Sequence, residues 1–145
     1  MAGIRGDKMI NIDDYLFKYG LHDCVVDKVL VKNNSLVFCF EAGVYKLNES
    51  AKETTKTSYC LMDLEIRGLD IEKMWEHIEV IKISKNTVRE MEWEEFMDEV
   101  NEFKFDIQEN YLSYFGQSIL LEGYTSKSRY QIKISEIISI RFSFI

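Results

Sequence analysis

Residues 25–40, with the sequence VVDKVLVKNNSLVFCF, have a clear β-hairpin pattern. Its first half alternates in character and places Val29 and Val31 on one face of a strand, and β-branched residues favour strands. Residues 33–35, Asn-Asn-Ser, are typical of a tight turn. The apolar residues 36–40 then return along the first strand. The stretch therefore predicts an antiparallel β-hairpin.

Similar strand-like runs recur along the rest of the chain. The chain contains no proline, and the five glycines after Met9 all fall at breaks between these runs. The predicted strands cover residues 44–47, 58–67, 78–84, 103–107, 111–115, 118–124 and 130–144. Residues 48–57 are mostly polar, which predicts an exposed loop.

Three segments carry helix signals. Asn11 can cap a helix over residues 12–19, and Asp70 can cap a short helical turn that ends near His77. Residues 93–102 have the strongest helical periodicity of the chain. The sequence therefore predicts an α+β fold, a single domain with a curved, mostly antiparallel sheet and two to three short helices.

The chain has the length of one domain. At 145 residues, it can bury about 70% of the surface that its unfolded form exposes. Residues 1–8 differ in character from the rest, and we interpret them as a flexible extension or a remnant of cloning. The single domain is predicted to span residues 9–145.

The net charge of the chain is concentrated in one segment, residues 89–109. This segment contains nine acidic and two basic residues, so its net charge of −7 equals that of the whole chain. A concentrated negative charge can steer a basic partner and repels nucleic acid. Because phosphate binding needs clustered Lys and Arg, the sequence predicts no nucleic-acid ligand.

The helix predicted over residues 93–102 has an apolar face and an acidic face. At about 100° per residue, the apolar residues fall within one arc, namely Trp93, Phe96, Met97, Val100 and Phe103. The acidic residues on the opposite arc are Glu94, Glu95, Asp98, Glu99 and Glu102. The helix dipole favours carboxylates in the first turn but leaves those of Asp98, Glu99 and Glu102 unexplained.

Two interpretations of the acidic face remain open. A solvated surface is the commoner origin of such a pattern, and a docking surface for a basic protein is the functional alternative. The candidate partner-binding residues are Glu94, Glu95, Asp98, Glu99, Glu102 and, on the strand that follows, Asp106. No calcium-loop spacing of carboxylates occurs, and neither a metal site nor a cofactor site is predicted.

The cysteines and the hydropathy pattern indicate a reducing compartment. Cys24, Cys39 and Cys60 are widely spaced and odd in number, which predicts buried free thiols rather than disulfides or a zinc site. No apolar run is long enough for a membrane span, and the N-terminus lacks the apolar core of a signal peptide. We therefore expect a cytoplasmic protein without membrane association.

The two histidines are candidates for catalysis, but their sequence context favours structural roles. A strand conformation would point His22 and Asp23 to opposite faces, and no nucleophile motif accompanies them. His77 follows a predicted helical turn, where an imidazole can hydrogen-bond free carbonyl groups. No catalytic residue is predicted.

The chain resembles several small bacterial families in its pattern. Residues 21–24, Leu-His-Asp-Cys, are similar to the hydrophobic-His-Asp-Ser opening of these families, with Cys24 in the place of Ser. The similarity continues in residues 93–100, in residues 103–107 and in the strand-rich C-terminal half with residues 130–134. Some of these families are uncharacterised, and others are immunity proteins that neutralise toxins delivered between competing bacteria. The resemblance implies a binding function and no catalytic residue.

Charge and resemblance together predict a non-enzymatic protein-binding module. In this prediction the protein is an immunity protein whose acidic surface occludes the active site of a basic, nuclease-type toxin. Tyr111 and Tyr114 are candidate aromatic anchors of the contact. Two alternatives remain, a small-molecule-binding module with a pocket inside the curved sheet and an enzyme built on His22 and Asp23.

Overall fold

The predicted α+β fold class is wrong, because the protein is mostly β. The computed structural model describes residues 18–113 and 117–145, and strands make up 58% of these residues while helices make up 14%. The described residues contain one α-helix, α1 (Trp93–Phe103), and one 3-10 helix, Ile71–Glu76. The helix signal after Asp70 therefore yields only a 3-10 helix, and two polar segments contribute strands.

Thirteen strands in the described ranges form three antiparallel sheets. The small sheet has the order β1 (Tyr19–Gly20), β5 (Tyr45–Leu47), β6 (Glu53–Lys56). The six-stranded sheet has the order β2 (Cys24–Val26), β10 (Phe105–Ser113), β11 (Ser118–Tyr124), β12 (Arg129–Ile134), β8 (Ile78–Ser84), β9 (Thr87–Met91). The four-stranded sheet has the order β13 (Ile137–Phe144), β7 (Cys60–Ile66), β4 (Ser35–Phe40), β3 (Lys28–Lys32).

The hairpin predicted from residues 25–40 is confirmed for residues 28–40, whereas Val25 and Val26 belong to β2 of the six-stranded sheet. Strands β3 and β4 pair with Val31 opposite Leu36, and Asn33 adopts a positive φ of 58° in the turn. Strand β4 is buried on both faces, and β3 and β7 pair with its two edges. That double burial explains its continuous apolar sequence.

The apolar side chains of the six-stranded sheet, the four-stranded sheet and α1 form one contiguous core. Phe38 and Phe40 of β4 belong to this core together with Phe96 of α1 and Tyr130 of β12. The rings of Phe96 and Tyr130 meet edge to face with centroids 5.4 Å apart. The interior between the sheets is therefore filled by side chains, which does not favour a ligand pocket there.

Helix α1 confirms the strongest helical signal and covers an edge of the four-stranded sheet. Its side chains Trp93, Phe96 and Val100 are buried, as the apolar arc predicts. Asn101 Oδ1 accepts a hydrogen bond of 3.1 Å from the backbone N–H of Val29 on edge strand β3. The helix therefore satisfies a backbone donor that the edge would otherwise leave unpaired.

The segment after Asp70 forms the predicted cap, but only a short 3-10 helix follows it. Asp70 Oδ1 accepts a hydrogen bond of 2.9 Å from the backbone N–H of Glu72. The helix is interrupted at Lys73, whose φ of −136° and ψ of 47° are not helical. Met74 is buried, whereas Ile71 and Trp75 are 63% and 66% exposed.

Three further predictions differ from the structure or lie outside it. The loop predicted over residues 48–57 contains strand β6, and β9 was not predicted, because exposed edge strands lack alternating apolar residues. Tyr19 lies in strand β1 rather than in a helix. The rest of that predicted helix and the extension of residues 1–8 lie outside the described residues.

Candidate protein-binding site

Glu99 differs from the other acidic residues of α1 because it faces the sheet. Its side chain is only 16% exposed, and its Oε2 lies 3.0 Å from the Nζ of Lys82, which is 18% exposed. The hydroxyl of Tyr130 donates a hydrogen bond to the other carboxylate oxygen. Burial and this hydrogen bond raise the pKa of the Tyr130 hydroxyl. Glu99 therefore anchors the helix to β8 and β12, and the prediction that it lies on the solvent side is wrong.

Glu95 is exposed but paired with a basic residue. Its Oε2 accepts a hydrogen bond of 2.8 Å from Nη2 of Arg89 on β9. This hydrogen bond lowers the pKa of Glu95 and raises the pKa of Arg89. Because both side chains remain about half exposed, the pair is well solvated and contributes little to stability.

Asp106 belongs to a different cluster from the helix carboxylates. It lies on β10, and its Oδ1 accepts a hydrogen bond of 2.9 Å from Nε2 of Gln108. The same amide group donates to Asp23 at 3.2 Å. Asp106 is therefore tied to the turn at Asp23 and not to the acidic face of α1.

Of the six predicted partner-binding carboxylates, three are exposed and form no ion pair within the described part of the chain. They are Glu94, Asp98 and Glu102, which follow one another at i, i+4 along α1. At about 100° per residue, these residues form a single stripe. Like charges at this spacing repel each other, so the stripe costs the isolated helix a few tenths of a kcal/mol per pair. We call these three residues the acidic stripe.

A groove with five glutamates begins at the N-terminal end of this stripe. It has a volume of about 280 Å³ and lies between the 3-10 helix, β8, β9 and the start of α1. Its acidic residues are Glu72, Glu79, Glu90, Glu92 and Glu94, and its other lining residues are Met74, Trp75, Ile78, Val80, Met91 and Trp93. No basic residue lines it. We call it the acidic groove.

A second, more apolar groove shares one wall with the acidic groove. It has a volume of about 310 Å³, and Leu30, Ile71 and Met97 line it. Trp93 and Glu94 line both grooves. The Trp93 ring is 4% exposed, and its Nε1 has no hydrogen-bond acceptor among the described residues. We call this second groove the apolar groove.

Sequence reasoning identified only one of the glutamates of the acidic groove as a site residue, namely Glu94. Glu90 and Glu92 lie in the acidic segment but were not selected, and Glu72 and Glu79 lie outside it. The exposed Trp75 was also missed. The sequence signal for its exposure was that a short, polar helical turn cannot bury a tryptophan side chain. Of the predicted aromatic anchors, Tyr111 is 52% exposed on β10, and Tyr114 lies outside the described residues.

His22 and Asp23 lie side by side, contrary to the expectation from a strand conformation. Asp23 has a positive φ of 61° in a turn, which brings its Oδ2 within 3.4 Å of Nδ1 of His22. Both side chains are about half exposed. The neighbouring thiol of Cys24 is buried, and burial raises its pKa to about 11. At neutral pH this thiol is therefore protonated and a poor nucleophile.

The remaining histidine and the cysteines have structural environments. His77 is buried, and its Nε2 lies 3.2 Å from the carbonyl oxygen of Gly68, which precedes the helical turn rather than ending it. Cys24, Cys39 and Cys60 are buried and free, which confirms that prediction. Burial raises the pKa of the Cys60 thiol to about 12.

The described residues contain neither a metal-binding cluster nor a membrane-spanning helix. Within residues 18–113 and 117–145, no group of three or more His, Cys, Asp or Glu side chains is arranged to hold a metal ion. None of the helices in these ranges has the length and apolar character that crossing a membrane requires. Both grooves adjoin the acidic stripe at Glu94.

Comparisons with protein-family models, with curated proteins and with solved structures give no match. The similarity to immunity proteins therefore consists of the sequence pattern alone. Any function must be argued from the chemistry of this surface.

Proposed function

We propose that the protein is a non-enzymatic protein-binding module, an immunity protein that neutralises a basic, nuclease-type bacterial toxin. The acidic surface would cover the toxin's active site and so exclude its nucleic-acid substrate. The observation that carries this proposal is the acidic stripe, because Glu94, Asp98 and Glu102 are exposed and have no ion pair among the described residues.

The acidic stripe destabilises the isolated helix but favours a complex with a basic protein. Repulsion between neighbouring carboxylates opposes helix formation, and no interleaved lysine relieves it. A nuclease carries a positive cleft for phosphate groups, so a negative surface accelerates encounter and selects this partner. The helix dipole favours the carboxylate of Glu94 in the first turn, but it does not favour those of Asp98 and Glu102 nearer the C-terminal end.

The position of α1 suits this task because the C-terminal half of the helix is held in place. Glu99 binds it to Lys82 and Tyr130, and Lys104, at the C-terminal cap, places its Nζ 2.9 Å from Oδ1 of the buried Asp27. A stripe on a fixed helix is already in its binding geometry. Less conformational entropy is then lost when the partner docks.

The proposed location follows from the proposed partner. A nuclease acts on nucleic acid inside the cell, so its immunity protein must meet it in the cytoplasm. Buried free thiols are compatible with that reducing compartment.

The test uses the toxin domain encoded next to the gene of this protein. The variant E94K/D98K/E102K reverses the stripe, and E41K/E49K/E109K makes the same change of net charge at exposed residues away from it. We expect the stripe variant to associate with the toxin at least about tenfold more slowly at low salt. We expect the control variant to stay within about threefold of the wild type, because only the distant field changes.

Equal association rates for the two variants would contradict a role of the stripe. Absence of any complex between the wild type and a cationic toxin domain encoded beside it would contradict the function itself. Stopped-flow fluorescence at several toxin concentrations measures these rates.

A further inference from the structure

The acidic groove has a chemistry that the acidic stripe lacks. Its five glutamates come from the 3-10 helix, β8, β9 and the start of α1, and they surround apolar and aromatic side chains. The exposed indole of Trp75 stands at this groove. Carboxylates and an aromatic face together are suited to a cationic side chain rather than to a diffuse positive surface.

Folding alone does not account for the side chains at this end of the molecule. Ile71 and Trp75 expose 63% and 66% of their area on one short 3-10 helix, and Leu30 is exposed nearby on the apolar groove. Exposed apolar groups that cluster beside a charged rim are typical of protein interfaces. Tryptophan in particular is enriched among the residues that dominate binding energy.

The volume and the negative charge of the acidic groove indicate which side chain can bind in it. Pockets for small-molecule ligands usually hold roughly 300–1,000 Å³, so a groove of about 280 Å³ fits one long side chain. A guanidinium group stacks on an indole ring and bonds carboxylates through a planar fork, and it is more weakly hydrated than an ammonium group. Arginine therefore fits this groove better than lysine.

We propose that the acidic groove receives an arginine side chain of the toxin, with the adjacent apolar residue of the same segment in the apolar groove. This inference rests on the proposed function and specifies its contact. The two grooves share Trp93 and Glu94, so neighbouring residues of one extended segment can occupy both. The Nε1 of Trp93, on the residue that separates them, is buried and has no acceptor among the described residues.

The first experiment measures toxin binding by groove variants. W75A removes the stacking surface, and E90Q removes a groove carboxylate without changing its shape. V88A is the matched control, because Val88 is exposed on β9 but does not line either groove. We expect the Kd of the toxin complex to rise at least about tenfold for W75A and severalfold for E90Q, with V88A within about twofold of the wild type. Circular dichroism checks that each variant is folded.

The results of this experiment distinguish a failure of the groove assignment from a failure of the proposed function. A tight wild-type complex that E94K/D98K/E102K slows, but that W75A and E90Q leave unchanged, would overturn the groove assignment and keep the proposed function. If the wild type binds no toxin, the proposed function fails, and a second measurement decides about the groove.

The second measurement is independent of the toxin. The chain has two tryptophans, and both line the acidic groove, so the two indole N–H signals in a ¹⁵N NMR spectrum report on this place. We titrate a blocked Leu-Arg-Leu peptide, with citrulline in place of arginine as the neutral control. We expect both signals to shift with the arginine peptide and to stay in place with citrulline. Equal shifts, or none with either peptide, would overturn the assignment.

Discussion

At the scale of single residues, Glu99 shows how far a helical pattern defines a surface. A helix wheel assigns it to the acidic arc, but at the border with the apolar arc, about 40° from Phe103. Lys82 and Tyr130 on neighbouring strands then draw its carboxylate inward. The sequence predicted the two faces of α1 correctly and the role of this border residue wrongly. Strand partners of a helix are long-range contacts, and periodicity does not report them.

Replacing Glu99 with Gln tests its anchoring role. The amide keeps the size of the side chain and an acceptor for Tyr130, but it leaves the Lys82 ammonium without a counter-charge at 18% exposure. We expect the free energy of unfolding in urea to fall by about 1–3 kcal/mol. Asp98→Asn is the control on the exposed stripe and should change stability by less than about 0.5 kcal/mol. Similar effects of the two changes would show that Glu99 does not anchor the helix.

At the scale of elements, the sequence predicted three local features correctly and missed two strands at sheet edges. The hairpin β3–β4, the Asp70 cap and α1 follow from neighbouring residues, since turn propensity, capping and helical period are local properties. Strands β6 and β9 lie at sheet edges and are largely exposed. Their backbone pairing forms without an apolar face, so their sequences carry little strand signal.

The contact between α1 and edge strand β3 can be tested at one hydrogen bond. Asn101→Ala removes the acceptor of the Val29 N–H, and a buried donor left unpaired costs about 1–3 kcal/mol. We expect faster hydrogen exchange at the Val29 amide and a small loss of stability. Glu102→Ala, on the next helix position, should leave that amide unchanged. Full protection of Val29 in the Asn101 variant would show that another group satisfies it.

At the scale of the whole molecule, the candidate site is an assembly that the linear charge pattern described only in part. The segment of residues 89–109 supplies the acidic stripe and three glutamates of the acidic groove. Glu72, Glu79 and Trp75 come from other elements and reach the groove only through the pairing of β8 with β9 and the cap at Asp70. A single sequence cannot reveal such pairings, so the position of the charge was predictable and the groove was not.

In the proposed function, electrostatic attraction to the acidic surface draws a basic toxin to this protein. The most direct measurement is the association rate constant of the wild-type protein with the adjacent-gene toxin domain at about 20 mM and about 200 mM monovalent salt. Screening weakens attraction between opposite charges, so we predict a fall of at least about tenfold at the higher salt concentration. A rate constant that differs by less than about twofold between the two salt concentrations would contradict the claim.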